Sequence, residues 1–116
     1  MDRAAVEAER ARVAERATSL ERELTSLAEE QSLTSHDDEH DPEGVTIAVQ
    51  RAQLQGLLEA ARVEIAELDR AAARLADGTY GYCATCGEPI APERLEALPA
   101  ATTCIRCAGR RRRPRF

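Results

Sequence analysis

Ile47-Ala-Val-Gln-Arg-Ala-Gln-Leu54-Gln-Gly-Leu-Leu58-Glu-Ala-Ala61-Arg-Val-Glu-Ile65-Ala-Glu-Leu68-Asp-Arg-Ala-Ala72-Ala-Arg-Leu75-Ala-Asp-Gly78 is the stretch that decides the architecture. Ile47, Leu54, Ala61, Leu68 and Leu75 recur every seven residues. Leu58, Ile65 and Ala72 follow four after Leu54, Ala61 and Leu68. This alternation of four and three is the seam of a coiled coil, the spacing that keeps one helical stripe facing a partner helix. Asp77-Gly78 ends the pattern, because glycine takes the left-handed conformation that closes a helix.

A matching seam lies upstream. Val6, Val13, Leu20 and Leu27 are seven apart, and Ala17, Leu24 and Gln31 continue the later members of the row. Proline and glycine are absent from residues 1–41. Each seam predicts a helix of roughly 30 residues, about 45 Å at the usual rise. Two helices of equal length joined by a short polar loop predict an antiparallel hairpin, with Leu27 near Leu54 and Val6 near Leu75. The competing arrangement is a seam shared between two copies of the chain; matched lengths favour the hairpin and a monomer. Asp41-Pro42 reads as the start of the second helix, with Asp as cap and Pro in the first turn.

Downstream, four cysteines stand as Cys83-x2-Cys86, a seventeen-residue span, then Cys104-x2-Cys107. Two intervening residues let both sulfurs of a pair turn toward one metal ion, and the span brings the second pair alongside the first. The pattern predicts one structural zinc held by Cys83, Cys86, Cys104 and Cys107. Disulfides, a redox dithiol and an iron–sulfur cluster are the competing readings. A reducing compartment argues against the first, and the lack of a βαβ unit argues against the second. Gly87 and Ala108-Gly109 read as turn residues behind the knuckles, and Pro89 and Pro92 frame a short helix from Glu93 to Leu98. Ile90, Leu95, Leu98 and Ile105 are the expected apolar core of this part. The fold class is therefore mainly α: an antiparallel coiled-coil hairpin over 1–77, a C-terminal four-cysteine zinc finger over 78–109, and a basic tail over 110–116.

A chain of 116 residues with no Trp, and with Tyr80, Tyr82 and Phe116 as its aromatics, buries little apolar surface. Zinc is the staple such a chain needs. The net charge of −5 is unevenly placed. Arg106, Arg110, Arg111, Arg112, Arg113 and Arg115 lie within the last eleven residues, and every acid lies before them. An acidic body argues against general nucleic-acid binding, which phosphate contact drives. A terminal Arg run reads first as a solvated end. Residues 1–30 hold no apolar stretch of the kind a secretory signal needs, and no segment reads as membrane-spanning, so the expected location is the cytoplasm. No combination of nucleophile, base and orienting group occurs, which argues against an enzyme.

The linker Thr34-Ser-His-Asp-Asp-Glu-His-Asp-Pro-Glu-Gly44 collects five acids and both histidines. It reads as a solvated loop, as a metal site using His36 and His40, or as a functional tip over 34–45 in which Asp37, Asp38, Asp41 and Glu43 meet a partner's cations or a divalent ion it holds.

Gly78-Thr-Tyr-Gly-Tyr-Cys83-Ala-Thr-Cys86-Gly-Glu-Pro-Ile-Ala-Pro-Glu-Arg94-Leu-Glu-Ala-Leu-Pro99, followed by Cys104-Ile-Arg-Cys107, resembles the zinc-finger signature of the DksA/TraR family. The order of long helix, acidic turn, long helix and finger is similar too. The resemblance implies a bacterial transcription regulator that binds RNA polymerase. Its coiled coil would enter the secondary channel and bring an acidic tip near the catalytic magnesium, often together with the alarmone ppGpp. The best-known tip of the family carries two aspartates three apart. Here the corresponding stretch is His40-Asp41-Pro42-Glu43-Gly44, so one acid is lost or changed in either alignment. The chain has no lysine, and clustered cations are what a phosphate-rich alarmone needs; this argues against ppGpp. The alternative reading is a zinc protein that binds DNA or RNA directly through its finger and Arg tail.

Overall fold

A computed structural model describes residues 2–34 and 42–112. Four helices follow in order: α1 (Arg3–Thr34), α2 (Pro42–Asp77), α3 (Pro92–Ala97) and α4 (Ile105–Arg112). Asp2 opens α1, its carboxylate accepting from the Ala5 amide at 2.8 Å and satisfying one of the orphan donors of the first turn. Pro42 is the first residue of α2, as its fixed φ predicts. Gly78 closes α2 at φ +80°. The Thr79 amide returns 3.0 Å to the Arg74 carbonyl, the six-to-one bond of a Schellman ending.

The chain divides into two compact units, residues 11–65 and residues 1–10 with 66–116. Within 11–65, α1 buries Val13, Ala17 and Leu20, and α2 buries Ile47, Leu58 and Ala61. Polar pairs set the direction: Arg16 meets Glu64 at 3.5 Å, Glu21 meets Arg62 at 3.6 Å, and Gln31 meets Arg51 at 3.2 Å. As the α1 number rises the α2 number falls, so the helices are antiparallel. Leu27 and Leu54 line one groove of about 490 Å³, in the register expected of the hairpin.

The seam is shallower than the heptads suggest. Leu24, Leu27, Gln31, Leu54, Ile65 and Leu75 are half-buried, because two helices without a third leave the flanks of their contact open to water. Ala71 rather than Ala72 is the fully buried alanine. The seam position between Leu68 and Leu75 falls between these two residues, and both share it. Val45, Val49 and Val63, by contrast, stand on exposed positions of α2.

Within 1–10 and 66–116, Val6, Leu68 and Ala71 are buried, and Arg10 Nε donates to Asp69 at 2.5 Å. The finger has its own small core of Cys83, Ile90 and Cys107, with Leu95 and Cys104 packed on it. Two expectations fail here. Leu98 is 51% and Ile105 74% exposed, because Leu98 caps the end of α3 and Ile105 opens α4 facing outward. Ala108-Gly109 makes no turn; both lie inside α4, since the second cysteine pair is itself the first turn of a helix. No described helix is long and apolar enough to cross a membrane.

Candidate metal centre

The first cysteine pair sits in a miniature hairpin. Tyr82 and Pro89 form a single antiparallel bridge. Cys83 N donates to Glu88 O at 2.8 Å, and Ile90 N to Gly81 O at 2.7 Å. Between these rungs the chain reverses over 83–87, with Gly87 N donating to Cys83 O at 2.9 Å. Gly87 does this at φ +78°, a value that costs a residue with a Cβ and costs glycine little. The second pair is built differently. Cys104 lies one residue before α4 and Cys107 in its first turn, so the two sulfurs share a face through helical spacing, and Ala108 N closes the turn on Cys104 O at 2.9 Å.

Three bonds bring these knuckles together. Ala84 N donates to Thr102 O at 2.7 Å. The Tyr80 hydroxyl donates to Pro99 O at 2.8 Å. Arg94 Nε donates to Thr103 O at 3.0 Å. The four sulfurs consequently lie within 4.8 Å of one another, and Cys86 Sγ is 3.8 Å from Cys104 Sγ. A tetrahedron with Zn–S bonds of about 2.3 Å has edges of about 3.8 Å, so the cage fits zinc. Among the described residues, no other group of three or more His, Cys, Asp or Glu side chains converges in this way.

Main-chain amides prepare the sulfurs for a cation. Amide hydrogen bonds, from Cys104 first and then Cys86, hold the Cys83 thiol down to about 5. The Cys107 amide lowers Cys104 likewise. Cys107 is pushed up to about 12, chiefly by its hydrogen bond with Cys104. The Glu88 amide favours a thiolate at Cys86, but hydrogen bonding with Cys83, burial and Cys104 outweigh it and raise this thiol. Thiolates crowded this closely share protons until a metal replaces them. Four sulfur donors complete a tetrahedron and leave no position for a substrate, which is the arrangement of a structural site.

His36, Asp37, Asp38, His40 and Asp41 fall outside the described residues, and Glu43 belongs to the first turn of α2. Sequence reasoning passed over Arg74, Tyr80 and Arg94. Each is an ordinary-looking residue whose partner is a main-chain carbonyl, which no residue type announces.

Comparison with known proteins places this geometry. Residues 78–113 match the prokaryotic dksA/traR C4-type zinc-finger family. The RNA polymerase-binding transcription factor DksA of Caulobacter vibrioides is 47% identical over 49 residues, 42% of this chain and 34% of that protein. General stress protein 16O of Bacillus subtilis is 37% identical over 85 residues, 72% of this chain and 52% of that one. These matches thus span about a third to a half of each relative's length. The solved structure of transcription factor DksA2 from Pseudomonas aeruginosa superposes with a TM-score of 0.76 at 32% identity, covering 94% of this chain and 78% of that one. A family of C4 fingers and four clustered cysteines together assign one structural zinc to this chain.

Proposed function

We propose that this chain, which belongs to the DksA/TraR family of four-cysteine zinc-finger proteins, is a transcription regulator that binds bacterial RNA polymerase. The observation that carries the reading is the joint match: a C4 finger of the family's type, and a likeness to a transcription factor over 94% of the chain. Cys83, Cys86, Cys104 and Cys107 are the zinc ligands in this reading. The finger is a rigid module, since all four coordination positions are filled from the chain.

The coiled coil enters the secondary channel of the polymerase, and the acids of its tip, Asp37, Asp38, Asp41 and Glu43, act near the catalytic magnesium. Exposed helical faces rich in Glu, with a body more acidic than basic, suit a channel lined by cations. The tip offers few side chains and the rest of the chain most of the contact area, so tip and binding separate experimentally. Asp41→Asn combined with Glu43→Gln keeps polymerase affinity within about tenfold, or roughly 1.4 kcal/mol, and removes most of the effect on a sensitive promoter at saturating protein. Titration against core polymerase and run-off transcription on the same variant check this. Normal regulation by that variant sinks the tip mechanism; no affinity for polymerase in the parent chain sinks the function.

A further inference from the structure

Two arginines outside the ligand set hold the peptide units that precede the two cysteine pairs. Arg74, in the last turn of α2, donates through one terminal nitrogen to Tyr82 O at 2.6 Å and Thr79 O at 3.2 Å. Arg94, in α3, donates through Nε to Thr103 O at 3.0 Å. Tyr82 is the residue before Cys83, and Thr103 the residue before Cys104. The same carbonyl position is therefore held by a guanidinium at each knuckle.

The chain beyond each held carbonyl is tied down as well. The Cys83 amide donates to Glu88 O at 2.8 Å, so the 82–83 peptide is fixed at both oxygen and nitrogen. That fixes the plane from which the Cys83 Cα–Cβ bond departs. Arg94 holds the oxygen of the 103–104 peptide, and the Cys104 carbonyl accepts from Ala108 N at 2.9 Å, so Cys104 is fixed on both sides. Each arginine thus aims the first sulfur of its own knuckle, Arg74 that of Cys83 and Arg94 that of Cys104. Groups that orient metal ligands in this way typically matter ten- to a hundredfold in metal affinity.

We propose that Arg74 and Arg94 are positioning residues for the zinc site, presetting the two knuckles so that the four thiolates close on the ion without rearrangement. The inference rests on the zinc-site reading above. It also makes the end of α2 part of the site, because Arg74 belongs to the helix and its target belongs to the finger.

The test uses the full chain with Arg74→Met, Arg94→Met, Arg74→Lys and Arg94→Lys. Three quantities are read: zinc per chain at saturation, zinc transfer to a chromogenic chelator, and the visible absorption of the cobalt-substituted protein. Each Met variant still takes up one zinc at saturation, loses it ten- to a hundredfold more readily, and shows an altered cobalt–thiolate spectrum. The Lys variants, which keep a charged donor, recover part of both changes. Transfer within twofold of the parent chain in both Met variants, with unchanged cobalt spectra, overturns the proposal. So does equal loss in Met and Lys variants, since that reports side-chain bulk and not donation. A parent chain that takes up no zinc refutes the zinc-site reading instead, and the two failures are told apart by that first measurement.

Discussion

Residues 11–65 and the finger solve the problem of a small core in opposite ways. The helical segment spreads its burial over two long stripes, with Val13, Ala17, Leu20, Ile47, Leu58 and Ala61 each contributing a little. The finger concentrates everything at one point. Ile90 is its one fully buried aliphatic side chain, and its other buried apolar positions are Cys83 and Cys107. Burying one isoleucine is worth about 1.5–3 kcal/mol, whereas a structural zinc brings about 10–16 kcal/mol of apparent binding energy near neutral pH. Distributed burial tolerates a single loss. A site built on one ion does not.

The largest expected effect follows directly. Cys86→Ser, or exhaustive chelation, removes the ordered structure of 78–112 and leaves 11–65 helical. Two-dimensional NMR shows it as collapse of finger resonances alone, and a cooperative loss of all helicity would break the comparison. The pH dependence has a definite sign. Raised Cys86 and Cys107 thiols carry protons at neutral pH in the metal-free cage, so zinc must displace them. Zinc affinity therefore falls as pH falls, and binding near pH 7 releases protons, those of Cys86 and Cys107 among them. Calorimetry in buffers of different ionisation enthalpy counts them.

This contrast also explains how far the sequence could be read. Heptad spacing reports burial directly, so Val13, Leu20, Leu58 and Leu68 were legible as core, and the Cys-x2-Cys pairs were legible as a cage. What escaped is set by main-chain geometry. Ala108-Gly109 reads as a turn on composition, yet Cys104 and Cys107 reach a common point through the first turn of α4, and the helix carries the two small residues with it. Leu98 and Ile105 read as core on hydropathy, but an isolated apolar residue carries no periodicity to say which way it faces. The hold of Arg74 on Tyr82 O is equally silent, because a carbonyl is offered by every residue.

A smaller effect tests distributed burial itself. Leu58→Asp places a charge in the seam at a position 6% exposed. A lone carboxylate there costs several kcal/mol, enough to lower the melting temperature of the helical segment while zinc content stays at one per chain. Val45→Asp, on an α2 position 67% exposed, is the control and stays within about 0.5 kcal/mol. Loss of zinc in Leu58→Asp would mean that the finger borrows its stability from the helices.

The smallest expected effect concerns the ion pairs that run alongside the seam. Arg16 and Glu64 approach to 3.5 Å, with side chains 57% and 41% exposed. At that exposure water and salt screen the attraction, and ordering two long side chains offsets much of what remains, so exposed pairs contribute about 0.2–1 kcal/mol. A double-mutant cycle on Arg16→Ala and Glu64→Ala therefore yields a coupling within that range, diminished further in about 1 M salt, where the screening length drops to about 3 Å. The pair nonetheless has a role that stability does not measure. Arg16–Glu64, Glu21–Arg62 and Gln31–Arg51 match only in the antiparallel register, and slipping one helix by a turn against the other breaks them together. The Val, Leu and Ala side chains of the seam are interchangeable enough to accept such a slip. Reversing both charges, with Arg16→Glu and Glu64→Arg, should preserve register and melting temperature, while Glu64→Arg alone should broaden the unfolding transition with little loss of helicity. A coupling well above 1 kcal/mol that salt leaves untouched would place the pair among the holders of the hairpin, and burial would no longer be what separates the helical segment from the finger.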